Sequence, residues 1–153
     1  MKLTIRKSDE VFNWFKNCDI ICLLKKSLGG YMLLSDITEI INGKKLWDFE
    51  DKDCTICGAT DMVSELLSVG KDGMVLVTGL ATLQMLKAAD IVGVGGIIIV
   101  RGKEIMPEFI NAAKSYRIPL ISTKFVMFTT CGLLFCAGLK DINGNDVEVY
   151  KWT

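Results

Sequence analysis

The chain reads as an α/β domain of three layers, a mostly parallel sheet with helices on both faces. Three observations lead there. Short, wholly apolar runs of strand length occupy residues 74–77, 96–100 and 118–121, helical stripes of about ten residues separate them, and glycine, hydroxyl or basic residues follow each run. A strand covered on both faces is apolar at every position, and alternation of such strands with helices builds βαβ units. With 153 residues, half of them apolar and 24% charged, the chain is long enough for one such core and too apolar for disorder.

The elements follow in order. Residues 1–31 are an N-terminal extension, dense in Val11, Phe12, Trp14 and Phe15 and closed by the linker-like Lys25-Lys26-Ser27-Leu28-Gly29-Gly30. Two readings of it stand side by side. It is an added helix packing on the domain, or a translated leader ahead of a start at Met32, because Gly29-Gly30-Tyr31-Met32 can be encoded with a bacterial ribosome-binding consensus before the ATG. From Met32 the pattern is regular. Ser35 is expected to cap a helix carrying Ile37, Ile40 and Ile41 on one face, with Gly43 at the C′ position. Residues 44–47 are expected as a strand and the acidic stretch 48–53 as a solvated loop.

Residues 54–59 are expected as one short strand, followed by a helix whose stripe is Met62, Val63, Leu66 and Leu67. After the strand at 74–77 comes a helix with Leu83, Leu86 and Ala89. After the strand at 96–100 comes a helix opened by Pro107, which fits the first helical turn because its missing N–H needs no partner there. The strand at 118–121 leads to a long apolar helix within residues 125–139, and that segment ends the domain, 32–139. The remainder, 140–153, is a turn at Asn143-Gly144 and a last strand at 147–150. Gly93-Val94-Gly95-Gly96 precedes its strand, whereas a dinucleotide-binding loop follows one, so it reads as a helix-to-strand turn.

Composition excludes several functions. There is no histidine, so neither Ser-His-Asp nor Cys-His catalysis nor a His-ligated metal is available. No phosphate-binding GxxxxGK[ST] loop occurs. With 18 basic and 18 acidic residues the chain has no basic field for nucleic acid. The apolar stretch 125–139 is shorter than the roughly 20 residues of a spanning helix, and no export signal opens the chain, so no membrane is expected and the location is expected to be cytoplasmic. Cys18, Cys22, Cys54, Cys57, Cys131 and Cys136 form three close pairs, of which only Cys54-Thr-Ile-Cys57 has metal-knuckle spacing. Reduced, mostly buried thiols are expected, with no metal and no cofactor. Asp141, Asn143 and Asn145 begin like a calcium loop, but Asp146 stands where such a loop needs glycine and Trp152 where it needs glutamate.

Right-handed crossovers bring the carboxyl ends of parallel strands to one rim. Thr78, Gly79, Arg101, Gly102, Lys103, Ser122, Thr123 and Lys124 therefore meet where open α/β sheets bind ligands. Hydroxyls, cations and glycines that expose backbone N–H groups suit an anion or a phosphate. The competing reading is that strand ends carry such residues because turns and caps require them, with Arg101 in an internal ion pair.

These residues also carry a resemblance. Ile37-Thr-Glu-Ile-Ile-Asn-Gly43, Gly58-Ala-Thr-Asp-Met-Val-Ser-Glu-Leu-Leu67, Leu76-Val-Thr-Gly-Leu80, Val100-Arg-Gly-Lys103 and Ile118-Pro-Leu-Ile-Ser-Thr-Lys124 are similar to the DRTGG domain, over residues 32–139. The last stretch, followed by Phe128 and Gly132, is the most specific part. The chain departs from that pattern at residues 93–96 and in its N-terminal extension. The domain resembles the N-terminal domain of HPr kinase/phosphorylase, and it occurs as an insert in CBS-domain pyrophosphatases and in some phosphotransacetylases. Free-standing copies accompany iron-only hydrogenase genes in anaerobic bacteria.

The resemblance implies a regulatory, non-catalytic module, a homodimer that senses an adenine nucleotide or another phosphorylated metabolite. The alternative it allows is a protein-interaction module, docking a hydrogenase or kinase partner without a small molecule. An enzyme is the least supported reading. It would need Asp61 or Cys57 at the rim with a base beside it.

Overall fold

The computed structural model describes residues 31–145. Two sheets and five helices alternate along this stretch. The chain runs through β1 (Met32–Leu33), α1 (Leu34–Ile40), β2 (Lys44–Lys45), β3 (Asp53–Cys54), β4 (Cys57–Ala59) and α2 (Val63–Val69). It continues through β5 (Val75–Thr78), α3 (Leu83–Val92), β6 (Gly96–Ile99), α4 (Pro107–Ser115), β7 (Leu120–Ser122) and α5 (Met127–Ala137). The main sheet has the order β2-β7-β6-β5-β4, with β4 to β7 parallel and β2 antiparallel on the edge beside β7. A small antiparallel sheet pairs β1 with β3.

Alternate side chains of the central strands divide the core. Val75, Val77, Ile98 and Ile121 face α1 and α5, meeting Leu34, Ile37, Ile40 and Leu134. Leu76, Ile97, Ile99 and Leu120 face α2, α3 and α4, meeting Leu66, Met85, Leu86 and Phe109. Strands β5 and β6 are buried throughout, as their unbroken apolar runs require. The fold is the α/β class expected, with both faces covered.

Several elements differ in detail. Residues 54–59 are not one strand: Cys54 pairs with Met32 in the small sheet, and the chain then crosses to begin β4 on the edge of the main one. The outer side of β4 is met by Lys140, which exchanges backbone hydrogen bonds with Thr55 and Cys57 at 2.9 Å. Ser35 lies inside α1 instead of capping it, and its N–H and hydroxyl both donate to Asp51. Gly43 is not the left-handed residue after α1; Asn42 is, at φ 46°. Gly43 serves close approach, because a Cβ there would stand 2.9 Å from the Ser122 carbonyl oxygen.

The acidic loop is not wholly solvated. Phe49 is buried in the core, with Trp47 edge-on at 5.3 Å and the Lys45 ammonium 4.7 Å above its ring. Of the stripe expected on α2, Leu66 is buried while Met62 and Leu67 face solvent. The turn expected at residues 93–96 is present, with Gly93 at φ 79° ending α3 and Gly96 opening β6. Asn143-Gly144 also forms a turn, in which the Asp141 carboxylate accepts the N–H groups of Asn143 and Asn145. The expected extension and the strand at 147–150 fall outside the described residues.

Candidate functional site

Because β4 to β7 run in one direction, the segments after β5, β6 and β7 emerge at one end of the sheet. The antiparallel β2 brings its first residue to that same end, where Lys44 is in register with Ser122. Backbone hydrogen bonds weave the turns together. The Arg101 N–H donates to the Phe125 carbonyl and the Gly102 N–H to the Thr123 carbonyl, both at 2.8 Å. Arg101 and Gly102 both adopt positive φ, 71° and 59°. Such a pair is uncommon for a non-glycine residue and turns the β6 loop across the end of β7.

The rim has two halves. In the first, Asp61 receives the Gly79 N–H at 2.6 Å and the Thr78 hydroxyl at 2.9 Å on one carboxylate oxygen. Its other oxygen lies 3.7 Å from the Arg101 guanidinium. Partial burial raises the Asp61 pKa, but the Gly79 N–H, the Thr78 hydroxyl and the charges of Arg101 and Lys103 outweigh that and hold it below the usual carboxylate range. A Cβ on Gly79 would stand 2.0 Å from the Arg101 guanidinium, so only glycine leaves Arg101 this position. Thr78, Gly79 and Arg101 thus already hold an anion, the protein's own carboxylate. The internal ion pair weighed in the sequence is present.

The second half is open. Asn42, Gly43, Lys44, Gly102, Lys103, Ser122, Thr123 and Lys124 line a polar cavity of about 340 Å³. Its lining holds three lysines and no carboxylate. The Thr123 hydroxyl is buried, donating to the Ile41 carbonyl at 2.7 Å and accepting the Phe125 N–H at 3.2 Å, so it shapes the wall. The Lys103 ammonium donates to the Gly79 carbonyl and so bridges the two halves. Of the eight residues singled out in the sequence, Gly102, Lys103, Ser122, Thr123 and Lys124 line this cavity. Sequence reasoning missed Asn42, Gly43 and Lys44, whose arrival depends on the antiparallel pairing of a two-residue strand.

The thiols lie elsewhere. Cys57 begins β4, at the opposite end of the strands from the rim. With Cys131, Phe135, Leu139 and Ile142 it borders an apolar cavity of about 320 Å³. Burial raises the Cys54 thiol to about 11, and it raises Cys57 and Cys131 as well, with Cys131 and Cys54 adding to the effect at Cys57. Among the described residues no group of three or more Cys, Asp or Glu side chains is placed to hold a metal ion. Nor, among them, is any helix long and apolar enough to cross a membrane.

No family model matches the chain, and no curated protein matches it in sequence. A solved structure does share its fold: the CBS and DRTGG domains of the regulatory region of Clostridium perfringens pyrophosphatase, complexed with its activator diadenosine tetraphosphate. The superposition has a TM-score of 0.55 at 17% identity and covers 78% of this chain and 50% of that one. This chain therefore spans about half the length of that regulatory region, and the likeness is one of fold.

Proposed function

We propose that this protein is a non-catalytic regulatory module that senses a phosphorylated small molecule in the lysine-lined cavity at the carboxyl end of its sheet. One observation carries the reading. Lys44, Lys103 and Lys124 come from three separate segments to line a cavity that no carboxylate lines. A lining that carries cations without a carboxylate favours an anion over a cation. Ser122 adds a hydroxyl donor. The shared fold supports a regulatory role, because the pyrophosphatase region of that fold carries an activator nucleotide. The sensing unit is the domain at 32–139, acting as a homodimer in the cytoplasm.

Thermal unfolding of the full chain against nucleotides and acetyl phosphate tests the cavity. A ligand present at 100 times its dissociation constant adds about 2.7 kcal/mol of stability. The Lys124→Ala variant should lose most of that gain, while unliganded Lys124→Ala melts with the parent, since Lys124 is exposed. A shift that survives in the variant would place the ligand elsewhere. Sedimentation with and without ligand tests the homodimer.

A second reading, a protein-docking module, has its own support. Met62, Leu67 and Val69 on and beside α2, with Leu83 and Ile91 on α3, are exposed apolar side chains on two helices that pack together. A panel with no thermal shift, together with capture of a defined hydrogenase or kinase partner that Leu67→Asp abolishes, would favour that reading.

A further inference from the structure

We propose that Lys103 is a two-position latch, its ammonium held on the Asp61 side of the rim until an anion enters the lysine cavity and draws it across. The inference rests on the anion-sensing reading above and adds how occupancy of the cavity reaches the other half of the rim. Lys103 belongs to both halves. It lines the cavity, yet its ammonium donates to the Gly79 carbonyl in the half that Asp61 fills. Its charge also acts on the Asp61 carboxylate, beside that of Arg101. An anion that recruits Lys103 therefore competes with a carbonyl and a carboxylate already in place.

The backbone leading to Lys103 is tied down, so the movement falls to the side chain. The Arg101 N–H donates to the Phe125 carbonyl and the Gly102 N–H to the Thr123 carbonyl, both at 2.8 Å, which fastens the loop to the segment after β7. Lys103 itself is exposed, and a lysine carries its point charge on a flexible four-carbon stem. The group it leaves is the seat of the internal ion pair. Gly79 gives its N–H to Asp61 at 2.6 Å, and its bare Cα makes room for the Arg101 guanidinium, where a Cβ would stand 2.0 Å away. When Lys103 crosses, the Gly79 carbonyl loses a donor and Asp61 keeps Arg101, at 3.7 Å, as its cation. Anion occupancy is thereby read at the Asp61–Arg101 pair, and by reciprocity a weaker hold on Lys103 strengthens anion binding.

Titration calorimetry of the full chain with inorganic tripolyphosphate tests the latch. Asp61→Asn keeps an oxygen to accept the Gly79 N–H and removes the charge that holds Lys103. It should bind tripolyphosphate about two- to fivefold tighter than the parent, the scale of one exposed ion pair. In a Lys103→Met background the same change should lose most of that gain, because no ammonium is left to release, whereas the general repulsion of an anion by Asp61 would persist there. Where Lys103→Met binds too weakly to measure, the Gly79 carbonyl carbon resonance decides, and it should shift as the parent saturates. No gain in Asp61→Asn, a gain that keeps most of its size without Lys103, or a Gly79 carbonyl unmoved at saturation overturns the latch and leaves the anion cavity standing. Failure of the parent to bind tripolyphosphate overturns the cavity reading and this inference together.

Discussion

Asp61 shows how one carboxylate can take the part expected of a ligand. It accepts the Gly79 N–H and the Thr78 hydroxyl and lies opposite Arg101, so three of the residues that a strand-end anion would use are engaged by the chain itself. Removing it leaves a buried hydroxyl and a buried N–H without their acceptor, at about 1–3 kcal/mol. Asp61→Ala should therefore unfold at lower urea than the parent at neutral pH, by about that amount. The pH dependence has a definite sign. The folded pKa of Asp61 is depressed below its ordinary 3.8, so its stabilisation is present above that value and lost as pH falls through the lower folded pKa. The stability gap between parent and Asp61→Ala should accordingly shrink in acid below about pH 3.8. A gap that stays constant on acidification would mean that the charge of Asp61 does not matter.

Between elements, the cavity depends on how α1, β2 and β7 are held together. The Thr123 hydroxyl donates to the Ile41 carbonyl at the end of α1, and the same oxygen accepts from the Phe125 N–H. Thr123→Val keeps the shape but removes the donor to the Ile41 carbonyl and the acceptor of the Phe125 N–H, and it should cost about 1–3 kcal/mol. It should also weaken anion binding, since the wall from which Lys124 projects loses its tie to α1; denaturant melts and phosphate titration of the variant check both. The helices between the parallel strands could be read from the chain because their periodic apolar residues are backed by strong local signals: Pro107 in the first turn of α4, Thr82 capping α3 and Gly93 in the left-handed conformation after it. The division of residues 54–59 between two sheets has no such signal. It depends on Met32 pairing with Cys54 and Lys140 meeting Ile56, partners 22 and 84 residues away in sequence.

For the molecule as a whole, the two faces of the sheet differ in what they expose. The face under α1 and α5 carries Cys54, buried in the core, with Cys57 and Cys131 packed against it, while Cys136 of α5 faces solvent. The thiolate is the reacting species, and burial disfavours it at Cys54, Cys57 and Cys131. Iodoacetamide on the folded protein should therefore modify Cys136 first among these four, and the other three should react at comparable rates only after unfolding. Peptide mass mapping of a time course measures this. Fast labelling of Cys57 in the folded state would contradict the raised thiol pKa that burial gives it.

Unbroken apolar runs at β5 and β6, helical stripes between them and residues that end each element are properties of neighbouring positions, and they specify the α/β layers and the rim before any long-range contact is known. The same local order explains why Gly102, Lys103, Ser122, Thr123 and Lys124 could be placed together. Which of the rim residues remain open to a ligand is a different kind of question. Asp61 reaches Gly79 across 18 residues, and Lys44 meets Ser122 across 78, through an edge strand of two residues too short to carry a pattern of its own. Periodicity reports which face of an element is buried, but pairing at the sheet edge and the choice of Arg101 between Asp61 and a ligand depend on distances that exist only once the layers have packed.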